Sequence, residues 1–201
     1  MQRVVILFPG ALGDVLLALP TWRILRQRHV GAYLTIAVSD PLAGLVAACG
    51  VADAVERIDA PAVAGLFSGG PLPPWLEGRP AVYSWFGASD PEARARLLGA
   101  AAGLVLAQVE RAPDGPHAAA AYARHVGAAP SLAELAASSG VPVGARMGAQ
   151  VAAGSGPVLT VHAGAGAAGK RWPPADVREL VAWWRQRGGR IPGNPRVLPA
   201  S

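Results

Sequence analysis

The chain has 201 residues, 52% of them hydrophobic, and 18 Lys and Arg against 13 Asp and Glu leave a net charge of +5. That is apolar material for one large domain or two small ones, and the single cysteine, Cys49, excludes a disulfide framework and a thiolate metal site. The basic residues are scattered, as Arg23, Arg26 and Arg28 and later Arg178, Arg185, Arg187 and Arg190, with no aromatic-basic face beside them; this argues against a nucleic-acid partner.

The first element predicted is a β-type run over 3–8, in which Arg3 precedes the apolar residues in the manner of a secretory leader. Asp14 interrupts the apolar stretch and Pro20, Thr21, Trp22 and Arg23 follow in place of a cleavage site, so a cytoplasmic protein is expected. No window of about 18 uninterrupted apolar residues occurs, and any membrane contact is expected to be peripheral. Further runs lie at 32–38, 54–58, 81–86 and 103–108, each followed by a turn or a helical stretch, which is the rhythm of a parallel α/β sheet.

Helix starts are equally legible. Asp40 before Pro41 and Asp90 before Pro91 each place a capping acid ahead of a proline, and Ser131 with Glu134 makes a capping box. After Ala128 the text turns small and loop-like, a linker over 129–156 carrying one short helix at its start. A second α/β unit then opens with a strand over 158–163, a Gly-rich turn and a helix over 175–187 that sets Val177, Leu180, Val181 and Trp184 on one face. The tail over 191–201 holds Pro192, Pro195 and Pro199 and is expected to be irregular, supplying no strand neighbour.

Two Gly-rich turns hold the candidate chemistry. In the first, Gly10 and Gly13 separate the strand from a helix marked by Val15, Leu19, Trp22 and Leu25, so that Asp14 falls at the helix N-terminus; Pro20 is expected to kink that helix. The carboxylate there either caps the helix or, because the first βα turn of an open sheet is a ligand site, takes a proton from an attacking hydroxyl. The spacing is not that of a dinucleotide fingerprint. In the second turn, Gly164 to Lys170 matches a P-loop by count, but Arg171 stands where a magnesium-binding hydroxyl belongs and Trp172, Pro173 and Pro174 delay the helix. Exposed backbone N–H groups and the Lys170 charge still suit an anion such as a diphosphate.

Taken together, "GALGDVLLALPTWRILRQRHVGAYLTIAV" and "VLTVHAGAGAAGKRWPPADVRELVAWWRQRGGR" resemble the two signature regions of the heptosyltransferases, glycosyltransferase family nine, over about residues 3–190. "HAAAAYARHVG" is similar to the family's Tyr-containing helix before the linker. The resemblance implies an α/β, GT-B-like fold: an acceptor-side Rossmann-like domain over 1–128, the linker, and the start of a nucleotide-sugar donor domain over 157–190. It implies inverting transfer of a heptose from an ADP-sugar to a lipid-linked lipopolysaccharide core acceptor, in the cytoplasm or at the inner face of its membrane, with no metal and no cofactor. Asp14 matches the family's general base, Gly10 and Gly13 its acceptor loop, and Lys170 with Gly164, Ala165 and Gly166 its donor-phosphate turn.

Arg23, Arg26 and Arg28 stand as candidates for an anionic acceptor or membrane surface, or as a solvated helix end. Family members carry hydroxyl residues where this chain has Ala165 and Gly166, and a later Asp-Thr-Gly and His motif has no counterpart. The chain is therefore expected to be carboxyl-terminally truncated and inactive alone. The alternative is a non-catalytic binding module that keeps the acceptor-side surface.

Overall fold

The computed structural model describes residues 1–108, 115–141, 156–159, 161, 169 and 171–191. The chain divides into two compact units, residues 1–142 and 143–201.

In the first unit the elements run β1 (Arg3–Leu7), α1 (Leu12–Arg28), β2 (Tyr33–Val38), α2 (Asp40–Ala48), β3 (Ala54–Arg57), a 3₁₀ turn (Pro61–Ala64), α3 (Gly65–Ser68), a second 3₁₀ turn (Pro74–Leu76), β4 (Ala81–Ser84), α4 (Pro91–Ala100), β5 (Gly103–Leu106), α5 (Ala118–His125) and α6 (Leu132–Ala137). The five strands form one parallel sheet in the order β3-β2-β1-β4-β5. All five expected runs are strands.

Strand β1 is central, and Val4 to Leu7 are wholly buried because both sheet faces are covered. Alternate residues divide between two cores. Val4, Ile6, Leu34, Ile36 and Val38 pack with Val15, Leu19, Trp22 and Leu25 of α1 and with Tyr122 and Val126. On the opposite face Val5, Leu7, Ala37 and Val82 meet Leu66, Leu76, Ala93 and Leu97. Helix α1 continues across Pro20 and buries the four residues its spacing predicts.

The caps divide. Asp90 accepts from the Ala93 N–H at 2.8 Å, and Ser131 and Glu134 make their reciprocal box. Asp40 does not cap: Ser39 holds the extended N-cap position, and the Asp40 carboxylate lies 3.2 Å from the Arg57 guanidinium. One residue of offset turns a cap into an ion pair. Helix α6 packs Leu135 against Ala119 and Ala123 of α5.

In the second unit, helix α7 (Pro174–Gln186) buries Val177, with Leu180, Val181 and Trp184 half-buried on the same side. The strand expected over 158–163 lies largely outside the described residues. Its start is paired, however, through a parallel bridge between Val158 and Arg190, with the Leu159 N–H on the Arg190 carbonyl at 2.9 Å. The bridge falls at Arg190, just ahead of the tail expected to be irregular, and residues 192–201 of that tail lie outside the described residues.

Candidate functional site

Strand order places the site. From β1 the chain runs outward through β2 to β3 and then returns to β4 on the other side, so the connections after β1 and β4 diverge and leave a crevice at the carboxyl ends of those strands. The floor of the crevice is an extension of the sheet. Beyond the strand ends, the Phe8 N–H donates to the Ala37 carbonyl at 2.9 Å, Trp85 to Leu7 at 2.9 Å and Ala107 to Ser84 at 2.8 Å.

A cavity of about 470 Å³ opens there. Its wall is built from Phe8, Pro9, Gly10 and Asp14 of the first βα turn, Trp85 to Asp90 of the turn between β4 and α4, Phe67 of α3, Gln108 after β5 and Tyr122 of α5. Asp14 is the third residue of α1, not its cap; the cap position is Ala11. Because Ala11 has no side-chain acceptor, only half of a capping box exists: Asp14 Oδ2 accepts from the Ala11 N–H at 3.3 Å. The other oxygen, Oδ1, accepts from the Tyr122 hydroxyl at 3.2 Å. A helix-end bond and a tertiary bond thus orient one carboxylate on the cavity wall.

The glycines of this turn differ. A Cβ on Gly10 would lie 2.4 Å from the Phe8 ring and 2.6 Å from the Asp14 Cβ, so packing around the acid requires glycine. At Gly13 no described atom lies within 4 Å of such a Cβ. On the facing turn Gly87 has φ 75°, where a side chain is strained, and its missing Cβ lets Ala93 at the start of α4 come close.

Aromatic rings fix the rest of the wall. Phe8 meets Tyr122 edge-on at 5.3 Å and Trp85 at 5.7 Å between centroids. The Trp85 indole N–H donates to His125 Nδ1 at 3.0 Å, which leaves the proton of the neutral imidazole on Nε2, and burial pushes the His125 pKa below its usual value. The buried Ser84 hydroxyl donates to the Phe86 carbonyl at 2.7 Å and accepts from the Phe86 N–H at 3.1 Å, pinning that turn. Phe86 stands edge-on to Phe67 at 5.2 Å, and Phe67 remains 38% exposed.

Asp14 and Gly10 therefore line one crevice, whereas Gly13, in the same turn, is not among its lining residues. The proposed donor-phosphate residues Gly164, Ala165, Gly166 and Lys170, the last being the only lysine in the sequence, lie outside the described residues. The arginines of α1 are bonded to neighbouring segments of the same unit. Arg23 donates to the carbonyls of Ser138 and Gly140, and Arg28 to that of Val126 at 2.5 Å. Arg26 makes a two-pronged pair with Asp53 at 2.5 and 2.9 Å. With the Leu34 N–H also donating to it, Asp53 is held below the usual carboxylate range, chiefly by the Arg26 hydrogen bonds. These cations fasten α1 to its neighbours.

Phe67, Trp85, Phe86, Ser89 and Gln108 carry no local motif and were not singled out in the sequence; their only signal is position after a strand or next to glycine. Among the described residues no helix is long and apolar enough to cross a membrane.

No protein-family model matches the sequence, and no curated protein matches it. Solved structures do. The glycosyltransferase family nine protein of Veillonella parvula DSM 2008 aligns over 94% of this chain and 61% of its own, with TM-score 0.62 and 14% identity. E. coli ADP-heptose LPS heptosyltransferase II aligns over 95% and 63%, with TM-score 0.59 and 16% identity. E. coli heptosyltransferase WaaC with ADP aligns over 94% and 67%, with TM-score 0.55 and 17% identity.

The fold is that of these transferases. At such identities the likeness is one of architecture, and it agrees with the α/β, GT-B-like class that the two motifs imply. The chain spans less than two thirds of the length of the first two structures.

Proposed function

We propose that the chain supplies the acceptor-side domain, and the opening of the donor domain, of an inverting glycosyltransferase that moves a heptose-type sugar from an ADP-sugar to a lipid-linked core oligosaccharide. The observation that carries this is Asp14, held by Ala11 and Tyr122 at the topological switch point of the sheet. Asp14 accepts the proton of the acceptor hydroxyl as that oxygen bonds to the anomeric carbon. The bond from that carbon to the diphosphate breaks, and ADP takes the electron pair and departs from the opposite face. Lys170 and the backbone at Gly164, Ala165 and Gly166 are assigned the growing diphosphate charge.

The donor assignment draws on the E. coli structures of WaaC, solved with ADP and with ADP-2-deoxy-2-fluoro heptose. Such a protein works in the cytoplasm, with peripheral contact at the inner membrane face where a lipid-linked acceptor is met. By itself the 201-residue chain is expected to transfer little or nothing from ADP-heptose; clear turnover would show that further donor-side elements are dispensable. The direct test fuses residues 1–142 to the donor half of a family-nine transferase and follows ADP release with a lipopolysaccharide core acceptor. Acceptor-dependent release that Asp14→Asn abolishes is the expected result. Release that survives the substitution returns Asp14 to a structural role, and no release at all favours a non-catalytic binding module.

A further inference from the structure

A second cavity, of about 550 Å³, lies apart from the crevice and shares no lining residue with it. Parallel sheets are ordinarily covered on both faces by crossover helices. The connection from β3 to β4 supplies only two 3₁₀ turns and the four-residue α3, so part of the β2 and β3 face is left open beside them. Strand alternation puts polar side chains into that opening. Val5, Leu7 and Ala37 belong to the core on this face, and the register sets Thr35 beside Val5, Glu56 beside Ala37, and Arg3 beside Tyr33 two residues further back. Arg3, Tyr33, Thr35 and Glu56 all line the cavity, with Trp75 of the second 3₁₀ turn opposite the sheet.

These groups are short of partners. Thr35 is only 2% exposed, yet among the described residues nothing bonds to its hydroxyl, and half-buried Glu56 makes no ion pair there. Arg3 donates to the carbonyls of Glu77 at 2.8 Å and Trp75 at 3.2 Å, which holds the loop but leaves the guanidinium without an acid. Arg57, by contrast, is claimed by Asp40 at 3.2 Å and Asp59 at 3.9 Å. A buried hydroxyl without a partner is a cost that a ligand can remove.

The unspent set decides the class of ligand. Glu56 only accepts, Arg3 and the Trp75 indole only donate, and the hydroxyls of Thr35 and Tyr33 do both. An anion would be opposed by Glu56 and a cation by Arg3, whereas hydroxyl groups, which donate and accept, satisfy every member. Tyr33 and Trp75 add ring surface on which an apolar C–H face can rest.

We propose that this cavity is a holding site for an uncharged sugar ring, seated against Tyr33 and Trp75 with its hydroxyls shared among Thr35, Glu56 and Arg3. It is not a second reaction centre: Glu56 is the one acid on its lining, and cleavage of a glycosidic bond ordinarily takes two. The site stands whether or not the crevice is catalytic, since the two have no residue in common.

The test is a ¹H–¹⁵N NMR titration of the 201-residue chain with the methyl glycosides of glucose, galactose and mannose, and with methyl glucopyranosiduronate and methyl glucosaminide as charged probes. Saturable shifts at Tyr33, Thr35, Glu56 and the Trp75 indole with at least one neutral glycoside are expected, with both charged probes weaker. Thr35→Val should weaken that binding roughly two- to tenfold while the melting temperature holds or rises, because valine keeps the shape and removes the unpartnered hydroxyl. Trp75→Ala should weaken it further; if that variant unfolds, Thr35→Val still decides. Binding of no neutral glycoside, tighter binding of a charged probe, or binding indifferent to Thr35→Val would overturn the proposal. So would shifts confined to Trp85, Phe86 and Gly87, which would place the sugar in the crevice, or shifts at Tyr33 and Trp75 that follow protein concentration without any sugar, which would make this face a contact between two copies of the chain.

Discussion

Asp14 and Asp90 are the same residue type at the start of two helices that open on the same cavity, yet they are held differently. Asp90 occupies the cap itself and closes on its own helix through Ala93. Asp14 sits three positions further in and divides its oxygens between Ala11 and the Tyr122 hydroxyl, more than a hundred residues away in sequence. The difference teaches that an acid in a first helical turn can be oriented by a partner the tertiary fold brings to it as well as by its own helix. Local pattern assigns Asp90 to capping and leaves Asp14 open between a cap and a proton acceptor.

The largest effect separating the two acids is catalytic. In the fusion to a complete donor half, Asp14→Asn is expected to lower turnover by about two to four orders of magnitude, and Asp90→Asn by no more than several-fold. Measured ADP-release rates that fall alike for both would erase the distinction.

Next comes packing around Asp14. Gly10→Ala is expected to destabilise the first unit by about 1–3 kcal/mol, since the new methyl meets the buried Phe8 ring, whereas Gly13→Ala should stay within about 0.5 kcal/mol. Urea denaturation of both variants, followed by circular dichroism, checks this; equal midpoints would mean the turn relaxes freely. Smaller again is the cap. Asp90→Ala is expected to cost about 1 kcal/mol and Asp90→Asn only a few tenths, because asparagine still accepts from Ala93. Equal costs in the same denaturation series would show that charge, and not the hydrogen bond, matters there.

The smallest effect concerns pH. His125 has a folded pKa below its ordinary value of 6.5, so the unfolded chain binds the proton more readily. Its contribution to stability is present above 6.5 and is lost as pH falls through the folded value; His29, also lowered by burial, acts in the same direction. Melting temperature should therefore drop between pH 7.5 and 5.5, and His125→Asn should flatten part of that drop. An unchanged slope would mean that burial does not hold the ring neutral.

Much of the architecture is legible in the sequence because parallel strands buried on both faces appear as unbroken apolar runs. Val4 to Leu7 are of this kind, and Leu34 to Val38 is interrupted only by Thr35. Helix α1 announces its buried face through Val15, Leu19, Trp22 and Leu25. The cap at Asp90 is legible, and the one at Asp40 is misplaced because Ser39 and Asp40 are both good capping residues in front of a proline. The cavity wall is the part that pattern cannot supply. The 61–76 segment, rich in Pro and Gly, reads as loop, so nothing local tells that Phe67 faces a cavity. The run over 81–86 ends early, at Ser84, and hands Trp85 and Phe86 to the site. Tyr122 stands out within an alanine-rich helix, but its bond to Asp14 exists only once α5 has packed on α1.

The backbone bonds of Phe8, Trp85 and Ala107 to the neighbouring strands have a consequence on the timescale of opening. These amides belong to the central ladder although they lie past its assigned ends, so they are expected to exchange with solvent deuterium only when the whole sheet opens, not through loop fluctuation. The floor beneath Asp14 is thus expected to last as long as the core, and a ligand bound there need not spend its interaction energy on ordering it.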